Sequence, residues 1–189
     1  MRAWIDVLTP KQANLFSVFV RSLRERGHDV FVTTRRYREV EELLKLREIE
    51  AAVIGRHGGG DLSGKLLESA GRIEELARYV DEKSPELVVS FCSPEAARVA
   101  YGLGIPHYAL SDSPHAEAVC RLSIPLSRKL FTPRAVPKGA WKRYGIAASD
   151  IVQYNALDPV VWIRAYVPGP DPRDDLELDR DRPIVVLRT

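Results

Sequence analysis

Short apolar runs alternate along the chain with stretches whose apolar positions recur at helical spacing. The first run, Ala3-Trp4-Ile5-Asp6-Val7-Leu8, suits a central parallel strand that is covered on both faces. Thr9, Pro10 and Gln12 follow as cap, first helical residue and capping-box partner, and Leu15, Phe16, Phe19, Val20 and Leu23 carry a helical stripe up to Gly27. The alternation then repeats. Strands are predicted at residues 30–33, 51–54, 87–91, 105–110, 129–131 and 151–154. Between them lie a helix marked by Val40, Leu43, Leu44 and Leu46, and a long helix with Leu66, Leu67, Ile73, Leu76 and Val80 on one side, stopped by Pro85. Further helices run through Ala96, Ala97, Val99, Ala100 and Leu103, start near Asp112, and cover residues 138–144. Strands separated by helices call for parallel crossovers. The expected fold class is therefore α/β, a doubly wound, mostly parallel, Rossmann-like sheet with the first strand central. Trp4, Ile5, Val7, Val30, Val32, Val53, Val88, Val89, Ile105 and Leu110 are expected to be buried.

The pattern changes after residue 155. Residues 156–182, with Pro168-Gly169-Pro170-Asp171-Pro172 and a charged run, read as a linker, and residues 183–189 read as one more short apolar strand. A lone strand cannot bury its own faces. The expectation is one domain over residues 1–155 and the first strand of a second domain that is missing. That strand would be disordered or pair with a neighbouring copy to make a homodimer.

Composition adds boundaries rather than function. The apolar fraction is 45%, and 28 Lys and Arg nearly balance 26 Asp and Glu, so no overall basic charge points to nucleic acid. Charged residues abound while Asn and Gln occur only at Asn14, Asn155, Gln12 and Gln153, a thermophile-like composition. No signal peptide is evident and no apolar run approaches the length needed to span a bilayer, so a cytoplasmic protein is expected. Cys92 and Cys120 read as two buried thiols, with a bridge as the alternative. No histidine pair has metal-ligand spacing, and no metal is expected.

Ligands of open α/β sheets bind beyond the carboxyl ends of the strands. There the sequence places Thr9, Lys11 and Asn14, then His57, Gly58, Gly59 and Gly60, then Ser93, then Ser111, Asp112 and His115, and finally Asn155. Neither a G-x-G-x-x-G after the first strand nor a P-loop is present, so no dinucleotide or other cofactor is expected. The glycine loop offers free amides ahead of a helix that Asp61 or Ser63 is placed to cap, which suits a phosphate or a sugar hydroxyl; a plain connection is the other reading. Asp112 and His115, three residues apart, form a candidate carboxylate–imidazole pair for general base work, with a helix cap as the simpler role for Asp112 or Ser111.

The opening strand with Trp4-Ile5-Asp6-Val7, the Arg26-Gly27-His28-Asp29-Val30 segment, the loop Ile54-Gly55-Arg56-His57-Gly58-Gly59-Gly60, Ser111-Asp112-Ser113-Pro114-His115-Ala116 and Ile151-Val152-Gln153-Tyr154-Asn155 resemble an uncharacterised prokaryotic family known only as a domain of unknown function. That family is similar to GT-B glycosyltransferases and UDP-N-acetylglucosamine 2-epimerases. Its pattern carries two acidic residues where this chain has Ser111-Asp112, so the first of them is absent here. The resemblance implies two Rossmann-like halves across a cleft, the N-terminal half holding the acceptor and the C-terminal half the nucleotide-sugar donor. On that basis the chain is the acceptor-side half of a nucleotide-sugar enzyme, inactive alone, with a sugar, sugar phosphate or nucleotide sugar as ligand. The alternatives are a non-catalytic binding module and a free-standing enzyme built on Asp112 and His115.

Overall fold

The structure, a computed structural model, describes residues 1–164 and 166–187. Seven parallel strands form one sheet: β1 (Arg2–Val7), β2 (Asp29–Arg36), β3 (Ala52–Arg56), β4 (Leu87–Ser90), β5 (His107–Leu110), β6 (Lys129–Pro133) and β7 (Ile151–Tyr154). Their spatial order is β3-β2-β1-β4-β5-β6-β7, with β1 held on both sides: Ile5 lies beside Val32 and Val89. The α/β class and the interior first strand agree with the sequence.

Helix α1 (Pro10–Glu25) begins at Thr9, whose hydroxyl accepts from the Gln12 amide at 3.4 Å. The Gln12 side chain reaches one residue further back than a capping box requires and accepts from the Leu8 amide at 2.7 Å. Helices α2 (Val40–Leu46), α3 (Leu62–Lys83), α4 (Pro94–Gly102) and α5 (Glu117–Ser123) follow. Crossovers between parallel strands are right-handed. Steps from β1 outward to β2 and β3 therefore put α1 and α2 on one face, where Ile5 and Val7 pack with Phe16, Val20 and Leu44. The return from β3 and the steps toward β7 put α3, α4 and α5 on the opposite face, where Trp4 meets Leu76, Val80 and Val99, and Leu130 meets Cys120 and Trp141.

Handedness thereby leaves the α1 side of β4, β5 and β6 with no crossover helix of its own. The short α6 (Pro159–Ile163) packs against α1. Between them a groove of about 520 Å³ stays open, lined by Leu15, Phe19, Leu87, Val89, Tyr108 and Phe131 among others.

Several expectations are corrected. Val53 is 43% exposed because β3 is the edge strand. Ile105 precedes β5 and is half-buried, and Leu110 faces the open groove. Leu66 and Leu67 are 70% and 68% exposed. Arg72 is the first buried residue of α3, so about ten residues, roughly 15 Å of helix, stand beyond the strand ends. No helix starts at Asp112; α5 begins five residues later, with Ala116 before it. Residues Lys138–Tyr144 form a 3-10 helix. Cys92 and Cys120, by contrast, are the two buried free thiols expected, not the alternative bridge. Residues 183–187 have no regular structure and expose Val185, Val186 and Leu187, while 188 and 189, part of the expected terminal strand, lie outside the described residues.

Candidate functional site

The carboxyl edge of β1, β4 and β5 gathers charges that are far apart in sequence. Lys11, in the first turn of α1, projects toward the loop after β5. Its ammonium lies 2.5 Å from Asp112 and 2.8 Å from Asp158, and 4.4 Å from the centre of the Phe91 ring. Burial disfavours the Lys11 charge, but the hydrogen bonds and charges of Asp112 and Asp158 outweigh it and hold the ammonium above its ordinary range. Burial likewise works against the Asp112 carboxylate. Lys11 and the Ser113 hydroxyl, which donates to it at 2.8 Å, reverse that and keep it below the usual range. Asp158 is almost wholly buried and accepts a short hydrogen bond from the Tyr154 hydroxyl, whose own titration is pushed far up by burial and by Asp158. One cation and two carboxylates leave this end of the edge with a net negative charge.

Behind it lies a charged cluster inside the fold. Asp6, next to last in β1, accepts from Thr33 at 2.6 Å and from two Arg72 nitrogens at 2.6 and 3.2 Å. Arg72 also donates to the Ile54 carbonyl at 2.9 Å and lies 3.8 Å from Glu95. Burial alone would raise the Asp6 pKa, but the Arg72 charge and hydrogen bonds bring it below the ordinary value. Gly55, at φ +71°, makes room: a Cβ there would come within 3.0 Å of the Arg72 side chain.

The glycine loop lies beyond β3. Its His57 ring stacks on Tyr37 with centres 4.4 Å apart, and its Nδ1 accepts from the Gly59 amide at 3.1 Å. Gly58 is required by packing, since a Cβ would strike the α3 backbone at 2.5 Å. Asp61 is the cap of α3, accepting from the Gly64 amide at 2.7 Å. A concavity of about 430 Å³ is lined by Thr9, Pro10, Lys11, Asn14, Tyr37 and Arg38; Lys11 stands in its wall, and the glycine loop borders it only through His57, stacked on Tyr37.

The predicted residues therefore divide. Thr9, Lys11 and Asn14 line the concavity, His57 stacks on its wall, and Asp112 is tied to Lys11. Asn14 also accepts from Arg47 at 3.0 Å. Ser111 is buried and accepts from the Ser113 amide. Ser93 is buried and spent as the α4 cap, bonded to the Ala96 amide at 3.2 Å. Asn155 is exposed at the far end, after β7. The expected Asp112–His115 pair does not form: Asp112 is held by Lys11 and Ser113, and the exposed His115 ring has no hydrogen-bond partner among the described residues. Asp158 escaped the sequence reading, although Asp158-Pro159 before Val160 and Val161 is a helix-start signal. Among the described residues no group of acidic, histidine or cysteine side chains is arranged to hold a metal.

Residues 1–187 match the model of a family described as a protein of unknown function, DUF354. The chain belongs to that family. An uncharacterised protein of Methanocaldococcus jannaschii is 26% identical to this DUF354 chain over 190 residues, 98% of the chain and 55% of the relative. The chain thus spans about half the length of the curated relative it matches. Its fold is shared with a UDP-GlcNAc 2-epimerase of M. jannaschii solved with UDP-GlcNAc and UDP (TM-score 0.67, 18% identity, 81% of this chain and 46% of that one). It is also shared with MnaA of S. aureus solved with UDP (TM-score 0.69, 15% identity, 93% and 51%) and with MurG of Acinetobacter baumannii (TM-score 0.59, 16% identity, 72% and 42%). The likeness extends to about half of each of these proteins. Among the described residues no helix is long and apolar enough to cross a membrane.

Proposed function

We propose that this DUF354 chain is the acceptor-side half of a sugar enzyme whose donor, a nucleotide sugar, is gripped by a second half, and that the chain alone does not turn over. The observation that carries the reading is the Lys11 ammonium clamped between Asp112 and Asp158 at the carboxyl edge of the sheet, beside an open concavity. The structural neighbours solved with UDP-GlcNAc and UDP support the substrate class.

In this reading Asp112, ionised at neutral pH and fixed by Lys11, accepts a hydrogen bond from an acceptor hydroxyl. As that oxygen bonds to the anomeric carbon, the carbon–diphosphate bond breaks, the diphosphate leaves with the electron pair, and Asp112 takes the proton. Lys11 holds the carboxylate in place and disperses its charge. A second reading, a module that binds sugar without reacting, gains from one observation: the interactions that lower the Asp112 pKa also make it a weak base.

Titration of the chain with nucleotide sugars and sugar phosphates, followed by amide shifts, tests both. Shifts at Lys11, Asn14, Ser111 and Asp112, lost in Asp112→Asn, are expected, with no turnover. Binding confined to the opposite edge of the sheet, or clear turnover by this chain alone, overturns the proposal. Activity that appears when a donor-binding half is supplied and disappears in Asp112→Asn decides against the binding-only reading.

A further inference from the structure

The two ends of the concavity differ in charge. At the Lys11 end the carboxylates outnumber the cation. At the other end cations converge on one aromatic ring: the guanidinium carbons of Arg35 and Arg38 lie 5.6 and 5.1 Å from the centre of Tyr37, against which His57 is stacked. Lys65, in the first turn of α3, stands beside the same loop, its Cα 2.5 Å from where a Cβ on Gly58 would fall; burial and the charges of Arg35, Lys65 and Arg38 hold His57 below its ordinary pKa. Neighbouring cations are already answered, Arg36 by Glu41 at 3.7 Å and Arg56 by Glu68 at 2.7 Å. Among the described residues Arg38 and Lys65 have no carboxylate within 4.0 Å. Glu95 acts on Arg35 through its charge but does not offset its burial, and the Arg35 Nε–H is buried with no acceptor among the described residues. A buried donor without an acceptor costs about 1–3 kcal/mol, so this N–H is suited to a group that arrives with a ligand.

The donors also have compatible chemistry. Because the His57 Nδ1 accepts from Gly59, the hydrogen of the neutral ring sits on Nε2, which is free to donate. The guanidinium groups provide fixed, forked donors for an oxyanion, and Lys65 a point charge. The carboxylates nearest this end each already have a cation beside them: Glu95 has Arg72 at 3.8 Å, Glu41 has Arg36 and Glu68 has Arg56.

We infer that Arg35, Arg38, Lys65 and the Nε2–H of His57 form a subsite for an oxyanion, a phosphate or a carboxylate. Assigning that oxyanion to the acceptor rests on the function proposed above. The acceptor then lies along the concavity with its anionic group against Tyr37 and its reacting hydroxyl against Asp112, so the substrate class is an acidic or phosphorylated hydroxyl compound rather than a neutral sugar. The charge difference between the two ends sets its direction, because the reverse orientation would press an anion against Asp112 and Asp158.

The test is a titration of the chain with inorganic phosphate in one arm and acetate in the other, at constant ionic strength, followed through the His57 ring and the Gly59 amide. Binding should move both signals and raise the His57 pKa, since a bound anion favours the imidazolium. Arg38→Gln and Lys65→Gln should each weaken binding about fivefold. The arm that saturates at lower concentration identifies phosphate or carboxylate as the natural group. Failure of both ions to move His57, or equal affinities in the wild type and the Arg38→Gln/Lys65→Gln double variant, overturns the inference. Phosphate binding at His57 with no response of Lys11 and Asp112 to any sugar would leave this subsite standing and remove the proposed function; the opposite pattern would do the reverse.

Discussion

His107 is enclosed by hydrogen bonds rather than by charge. Its Nε2 lies 2.8 Å from the Ser90 hydroxyl and its Nδ1 2.9 Å from that of Ser127, and burial lowers its pKa from 6.5 to about 4. Below pH 6.5 the unfolded chain takes up a proton that the folded chain refuses, so stability is lost as pH falls toward 4. The loss expected over that window is about 3 kcal/mol. Asp6 and Asp112, both held below the ordinary carboxylate range, withdraw their contributions only at more acidic pH. Urea unfolding measured from pH 7 down to 4 should therefore fall more steeply for the wild type than for His107→Asn, and parallel curves would show that another group is responsible. At this scale the sequence was readable where position along a strand decides the role. Lys11 and Asp112 were found because they follow β1 and β5. Arg72 was not, because an arginine within a charged helix looks the same whether it faces water or, as here, a carboxylate 66 positions away. Asp158 stood among prolines that suggested only a connection, and Ser93 looked like an exposed edge hydroxyl until its helix claimed it.

Among the elements, α3 ends under strain. Ser84 closes it at φ +47°, a left-handed conformation that a side chain resists and glycine does not, and Pro85 forbids continuation. The Ser84 hydroxyl returns part of the cost by donating to the Asp81 carbonyl at 2.9 Å. Ser84→Gly should stabilise the protein by about 0.5–1 kcal/mol, seen as a higher urea midpoint. A lower midpoint would mean that the hydroxyl bond outweighs the strain. The periodicity that revealed α3 also explains the error made with it. Leu66 and Leu67 obey helical spacing, but spacing does not say where a helix outruns the sheet it covers. Val53 failed for a similar reason: an apolar strand reads alike at the centre and at the edge, and the edge position of β3 follows only from the order of the whole sheet. The helix expected at Asp112 was displaced because Lys11 and Ser113 engage the side chain that would have capped it.

For the molecule as a whole, the alternation of apolar runs was enough to imply a parallel sheet, and the handedness of crossovers then fixed which half-face each helix covers. The meeting of Lys11 with Asp158, and of Tyr37 with His57, depends on that assembly and on nothing local. The open groove on the α1 side of β4, β5 and β6 has a further effect, on how this chain behaves in water. A greasy surface of that size makes the chain's solubility a function of temperature and salt. Attraction between such surfaces strengthens on warming from the cold and in sulfate, while urea weakens it. The folded chain should light up the dye ANS at neutral pH without any unfolding, and should cloud on warming in sulfate. Phe19, at 40% exposure on the rim, is the residue to alter. Phe19→Lys should dim the dye and raise the clouding temperature while leaving the urea midpoint nearly unchanged. Equal emission from the two proteins would place the dye elsewhere. Handling the chain cold and free of sulfate is then a requirement imposed by the winding of its sheet.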